Sequence, residues 1–141
     1  MTEFKYLEKD KNGNYQIKKL YLNPYLEMYN SEIISYEISK KPTLAPILKA
    51  LEKAIEITSI NKEERIFHSD QGWAYQIKQY TSKLEAEGIT ISMSRKGNYL
   101  DNSPMENFFG LLKQEIYYEK KFYSYEELKE AIEEYQILHS R

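Results

Sequence analysis

Polar and apolar positions change their period along this chain. Thr2 to Leu7 is short and rich in β-formers, and Tyr15 to Tyr29 and Glu32 to Ser39 are rich in Tyr and Ile. Asp10-Lys11-Asn12-Gly13-Asn14 separates the first two with the Asn and Gly that tight turns favour, and Asn30-Ser31 separates the next two. Three strands joined by short turns predict an antiparallel meander, with Pro24 at a bulge, an edge or a strand start.

The period then becomes helical. Thr43 is placed to cap a helix that tolerates Pro46 in its first turn, and Leu44, Ile47, Leu48, Leu51, Ala54 and Ile55 form one apolar stripe. Arg65 to Ser69 reads as a short strand. Trp73, Ile77, Tyr80 and Leu84 predict a second helical face, closed by Gly88 as a left-handed cap. Ile89, Ile91 and Met93 alternate with polar residues, as in a strand with one buried face. After the polar loop Arg95 to Asn102, Ser103-Pro104-Met105-Glu106 opens a helix with the stripe Met105, Phe108, Phe109, Leu112 and Ile116. A capping box, Ser124 to Glu127, opens a last helix through Leu128, Ala131, Ile132 and Tyr135. The order βββ-α-β-α-β-α-α predicts an α/β fold, a mixed sheet with helices on its faces.

Composition narrows the class. The 141 residues carry 20 Lys and Arg against 22 Asp and Glu, a formal charge of −2, with 41% hydrophobic and 30% charged residues. That balance suits one globular domain and excludes a disordered or collagen-like chain. There is no cysteine, which excludes disulfides, Cys-zinc sites and thiol catalysis. The amino-terminal segment is charged where a signal peptide is apolar, and no apolar run is long enough to span a membrane, so a cytoplasmic protein is expected. Mild acidity argues against a binder driven onto nucleic acid by charge alone, though not against an enzyme that touches DNA with one face.

Two carboxylates stand out. Asp70 follows the RIFHS strand in a turn into a helix, where open α/β sheets place ligands. Glu106 lies in the first turn of a later helix, with Gly110 and Lys113 following it along one side. Paired carboxylates beside an oxygen-rich loop suit Mg²⁺ or Mn²⁺ and phosphoryl transfer. Plainer roles exist for each. Glu106 completes a Ser-x-x-Glu capping box, Asp70 suits a turn or cap, Lys113 a solvated face, and His68 a packed histidine. His139 lies near the chain end without evident chemistry. The Asp10 turn does not match a calcium loop, because its Gly is fourth and Tyr21 is twelfth.

The segments HSDQGWAY and GITISMSRKGNYLDNSPMENFFGLLKQEIYYEKKFYSYEELKEAIEEY resemble the catalytic core of bacterial insertion-sequence transposases. These are the DDE class related to retroviral integrases, named for three acidic metal ligands. The likeness runs from about Ile33 to about Tyr135. The 35 residues between Asp70 and Glu106 match the family's second Asp and its Glu, and Lys113 matches its basic residue seven positions on. The resemblance implies a ribonuclease-H-like fold and metal-dependent DNA cleavage and strand transfer, with Asp70 and Glu106 as ligands of Mg²⁺ or Mn²⁺. It implies a DNA-phosphate contact for Lys113 and a loop near the DNA ends in SMSRKGNYLDN. There Arg95, Lys96, Asn98 and Asn102 are candidates for DNA-backbone contacts. Its partners are insertion-element ends, target DNA, and full-length transposase or further copies.

Against that pattern the expectation is a catalytic core, residues 1–141, truncated at both ends. The family's first acid precedes the stretch resembling Thr2-Glu3-Phe4, which puts it just ahead of Met1. Glu3 has the wrong strand parity to replace it, Thr2 has no charge, and Asp10 lies in the turn. The expected outcome is weak binding of at most one ion and negligible strand transfer. The rival readings are a catalytically dead fragment that binds DNA or full-length transposase, and a ribonuclease-H-like nuclease that does not transfer strands. The segment KDKNGNYQIKK is also long for the family.

Overall fold

A computed structural model of the chain describes residues 1–27, 32–60, 64–69, 72–93 and 103–139. β1 (Thr2–Lys9), β2 (Tyr15–Leu26) and β3 (Ile33–Ser39) form the antiparallel meander in the order β1-β2-β3. The first turn is fixed by Asp10, whose Oδ1 accepts the backbone N–H groups of Asn12 and Asn14, both at 2.9 Å. Gly13 adopts φ 84°, the left-handed conformation such a turn needs. Pro24 stands beside a register shift at Tyr25/Leu26, one of the places a strand tolerates proline. The Asn30-Ser31 turn lies outside the described residues.

Alternation gives the sheet two different faces. Phe4, Tyr6, Leu20 and Leu22 face α3 (Ser103–Ile116) and α4 (Tyr125–His139), and pack with Phe108, Leu112, Leu128 and Ile132. On the other face lies α1 (Leu44–Thr58), where Ser35 Oγ donates to the Ala50 carbonyl at 2.9 Å and Lys53 pairs with Glu37 at 2.8 Å. Ile47 and Leu51 of α1 join Tyr80 and Leu84 of α2 (Lys78–Ala86) in a second core. Burying such side chains stabilises the fold by about 1.5–3 kcal/mol each. Thr43 stands at the N-cap of α1 as expected, but its side chain makes no capping bond.

β4 (Ile66–Ser69) and β5 (Thr90–Met93) pair in parallel, so the described residues carry the antiparallel and parallel parts of the expected mixed sheet as two hydrogen-bonded units. Arg65 anchors this region: its guanidinium donates to the Ile55 carbonyl at 3.2 Å and the Glu87 carbonyl at 3.3 Å, at the ends of α1 and α2. Gly88, at φ 69°, closes α2, with Ile89 N–H bonded to Leu84 O and Gly88 N–H to Glu85 O, both at 3.0 Å. These are the two bonds of a Schellman cap.

The continuous helical face from Trp73 to Leu84 is corrected. Trp73–Gln76 forms a separate 3-10 turn, and Ile77 is extended (φ −74°, ψ 138°). Ile77 serves as the N-cap of α2, its carbonyl accepting from Tyr80 at 2.9 Å and Thr81 at 3.0 Å. Ala74 is therefore buried, while Trp73 stays 52% exposed. At the start of α4 half of the expected capping box forms: Glu127 N–H donates to Ser124 Oγ at 3.1 Å, while the Glu127 carboxylate accepts the N–H of Tyr123, one residue before the cap, at 3.3 Å. No described helix is long and apolar enough to cross a membrane.

Candidate functional site

Glu106 sits in the first turn of α3, beside the stripe that anchors the helix to the sheet. Phe108 and Leu112 are buried, and Glu106 is exposed. No described residue hydrogen-bonds to its carboxylate or pairs with it. One turn on, a Cβ built at Gly110 would meet no described residue within 4 Å, so among the described residues the surface beside the carboxylate is open. The side chain of Ser103, the partner a capping box would need, lies outside the described residues.

Lys113 lies two turns from Glu106 and is only half-exposed. Its Nζ donates to the backbone carbonyl of Glu3 at 3.0 Å and stands 5.0 Å from the centre of the Phe4 ring. Burial lowers its pKa below the usual 10.5, and the nearby Glu3 carboxylate opposes that shift. Four residues further along α3's direction, Tyr117 Oη accepts the Lys5 N–H at 2.8 Å. Phe122 O accepts the Leu7 N–H, also at 2.8 Å. Thus the chain from Lys113 to Phe122 runs along β1 in the same direction. Glu106, about 10 Å back along the helix axis at 1.5 Å per residue, is directed past the Glu3 end of the strand.

The parallel pair leads the chain toward the remaining candidates. β4 and β5 end together, at the pair Ser69 and Met93, and open sheets place ligands beyond such carboxyl ends. Asp70 follows Ser69 in sequence, and Arg95, Lys96, Asn98 and Asn102 follow Met93; all five lie outside the described residues. His68 Nδ1 makes a 2.9 Å hydrogen bond with Ser92 Oγ across the pair, consistent with a packed histidine. A groove of about 380 Å³ runs elsewhere, along β3 between Lys53 of α1 and Lys129 of α4, and carries none of these candidates.

Glu106 brings one donor of the kind a hard divalent ion takes. It offers exposed carboxylate oxygens, the ligand type Mg²⁺ and Mn²⁺ favour, next to surface open among the described residues. Among the described residues, no group of three or more His, Cys, Asp or Glu side chains comes together. Sequence reasoning missed the carbonyl partner of Lys113 and the hydroxyl pair Tyr25–Tyr80, whose oxygens are 2.6 Å apart. The only signal for the second was the density of tyrosines, 14 in the chain.

Comparison with known proteins shows the family. The sequence profile of the family described as integrase core domain matches residues 1–99, and a second profile of that description matches residues 106–137. A transposase-like protein of Haemophilus influenzae is 43% identical over 135 residues, which cover 96% of this chain and 57% of that protein. InsK, named as a transposase for insertion sequence element IS150 of Escherichia coli, is 44% identical over 119 residues, 84% of this chain and 41% of its own length. The chain thus spans about half the length of the curated relatives it matches. The HTLV-2 integrase catalytic core domain, solved in complex with magnesium, superposes with a TM-score of 0.53 at 17% identity. That match covers 80% of this chain and 63% of the viral one, and the shared feature is the ribonuclease-H-like fold.

Proposed function

The chain belongs to the integrase core domain family, and from that premise we propose that it is the core of a protein that serves DNA transposition through metal-dependent cleavage and strand transfer. The observation that carries the reading is Glu106: an exposed carboxylate that no described residue engages, in the first turn of α3, beside Gly110. Asp70 and Glu106 supply oxygen ligands to Mg²⁺ or Mn²⁺. An ion held there would supply Lewis-acid polarisation of a phosphodiester and of an attacking water or hydroxyl.

The protein's own residues hold the geometry. Phe108 and Leu112 fix α3 against the sheet and so fix Glu106. Lys113 braces β1 in the free protein, and an ammonium released from Glu3 O is suited to a DNA phosphate as a point charge. Arg95, Lys96, Asn98 and Asn102 contact the DNA backbone on this reading. Insertion-element ends, target DNA and further copies of the transposase are the partners.

Ion binding and DNA chemistry test the proposal together. Calorimetry with Mn²⁺ is expected to show binding that Glu106→Gln and Asp70→Asn each weaken at least tenfold. Gel analysis with element-end duplexes reads cleavage and joined products. Ion binding unchanged in both variants would overturn the assignment.

A further inference from the structure

Beyond Tyr6, the β1–β2 hairpin leaves the core. Every residue from Lys11 to Lys19 is exposed, on both faces of β2, and Glu8 and Lys9 across from them are exposed as well. A lone two-stranded ribbon has little stability of its own. This one is held at both ends. Asp10 and Gly13 lock its tip. Toward its root Leu7 N–H bonds to Phe122 O, and next to the turn the Tyr15 ring lies 5.7 Å from that of Tyr123. The result is a braced arm.

Its composition differs from the rest of the protein. Residues 5–19 hold five lysines against Glu8 and Asp10, in a chain whose net charge is −2. Lys120 and Lys121, both exposed, lie on the connection that braces the root. Tyr15 is 55% exposed and Ile17 68%, apolar surface that the core does not use. Tyr15 pairs with Lys9, and Ile17 with Leu7, so the apolar side chains share one face of the ribbon.

We propose that this arm is a second DNA-contact surface, a basic β-ribbon that enters the major groove of a duplex whose cleaved end lies at Glu106. The proposal rests on the DNA reading above. Paired strands stand about 4.8 Å apart, and the major groove, about 12 Å wide, admits such a ribbon. Lys9, beside Tyr15 on one face, Lys11 at the turn and Lys18 on the other face extend to the phosphates of the groove walls, while Tyr15 and Ile17 face base edges, where thymine methyls offer apolar contact. The turn lies roughly 25 Å along β1 from Glu3, about seven base pairs at ~3.4 Å each. One straight duplex therefore reaches both ends.

The test is fluorescence anisotropy with a labelled duplex of about 30 base pairs, long enough at ~3.4 Å per pair to span both sites. Salt is varied for wild type and for the triple variant Lys9→Gln, Lys11→Gln, Lys18→Gln. The triple variant is expected to bind at least tenfold more weakly, with a log–log salt slope shallower by about 2.7, since each phosphate contact contributes about 0.9. Tyr15→Ala is expected to weaken binding with an unchanged slope. Circular dichroism should match wild type in both. Wild-type affinity and slope in the triple variant overturn the proposal, as does a wild-type chain that does not bind duplex. A triple variant that loses only self-association in sedimentation also overturns it, and assigns the arm to a second copy. Mn²⁺ calorimetry on the same variants separates the two ideas: intact ion binding with an inert arm sinks only the arm, and duplex binding through the arm without ion binding sinks only the metal site.

Discussion

The ammonium of Lys113 and the backbone carbonyl of Glu3 meet at 3.0 Å, which ties the helix carrying Glu106 to the outer edge of β1. Lys5 N–H and Leu7 N–H, the next groups along that edge, are taken by Tyr117 Oη and Phe122 O. Three contacts thus fix the strand against α3 and the segment after it.

Lys113→Met keeps the aliphatic stem over Phe4 and removes the donor. It is expected to destabilise the protein by about 1 kcal/mol, the usual worth of one such hydrogen bond. Urea denaturation measures this. Hydrogen exchange should show faster opening at Lys5 and Leu7. Lys113→Arg, which keeps a donor and a charge, is expected to recover part of the loss.

Glu106→Gln is expected to leave stability within about 0.5 kcal/mol of wild type, because the side chain is exposed and no described residue binds its carboxylate. Thermal melting checks this. A larger loss, near the ~1 kcal/mol of a broken cap, would mark Glu106 as the partner of Ser103 instead.

Alkaline stability is expected to be governed by the Tyr25–Tyr80 pair. Burial pushes Tyr80 up to about 12, and pushes Tyr25 well above its usual 10.0, with Tyr80 beside it adding to the shift. A raised folded-state value means that the unfolded chain loses its protons first. The contribution is therefore whole below pH 10 and is lost as pH climbs toward 12. Lys113 acts oppositely, since its lowered value favours the fold as pH rises toward 10.5. Denaturation across this range should show a net fall, shallower in Tyr80→Phe.

Gly88→Ala is expected to cost about 1 kcal/mol. The added Cβ would meet nothing within 4 Å, so the cost comes from the backbone at φ 69° rather than from a clash. Gly88→Asn should cost less, because asparagine tolerates this conformation. Thermal melting of the two variants decides it.

Local periods carried most of the fold. Phe4, Tyr6, Leu20 and Leu22 alternate as a half-buried sheet must, and Ile47, Leu51 and Ala54 recur as a helix face must. What failed was continuity and distance. The spacing from Trp73 to Leu84 is helical throughout, yet the helix begins only after Ile77, because that carbonyl caps α2. Gln136 is fully buried with an unpartnered amide in the apolar face of α4, which no periodicity would forecast for a polar residue. At the site, Glu106 was legible from its place in a first turn. The partner of Lys113 was not: Glu3 is 110 residues away, and spacing along a helix says nothing of such a contact.

The closed margin of β1 also bears on self-assembly. Fibrils grow when a strand offers free donors and acceptors for another chain to copy. Here the Glu3 carbonyl and the Lys5 and Leu7 N–H groups are committed within the molecule, and the opposite strand, β3, runs beside the charges of Lys53, Lys129 and Glu133. Among the described residues, that stretch of β1 leaves fewer backbone groups for another chain to copy, which makes it a poorer template for cross-β growth.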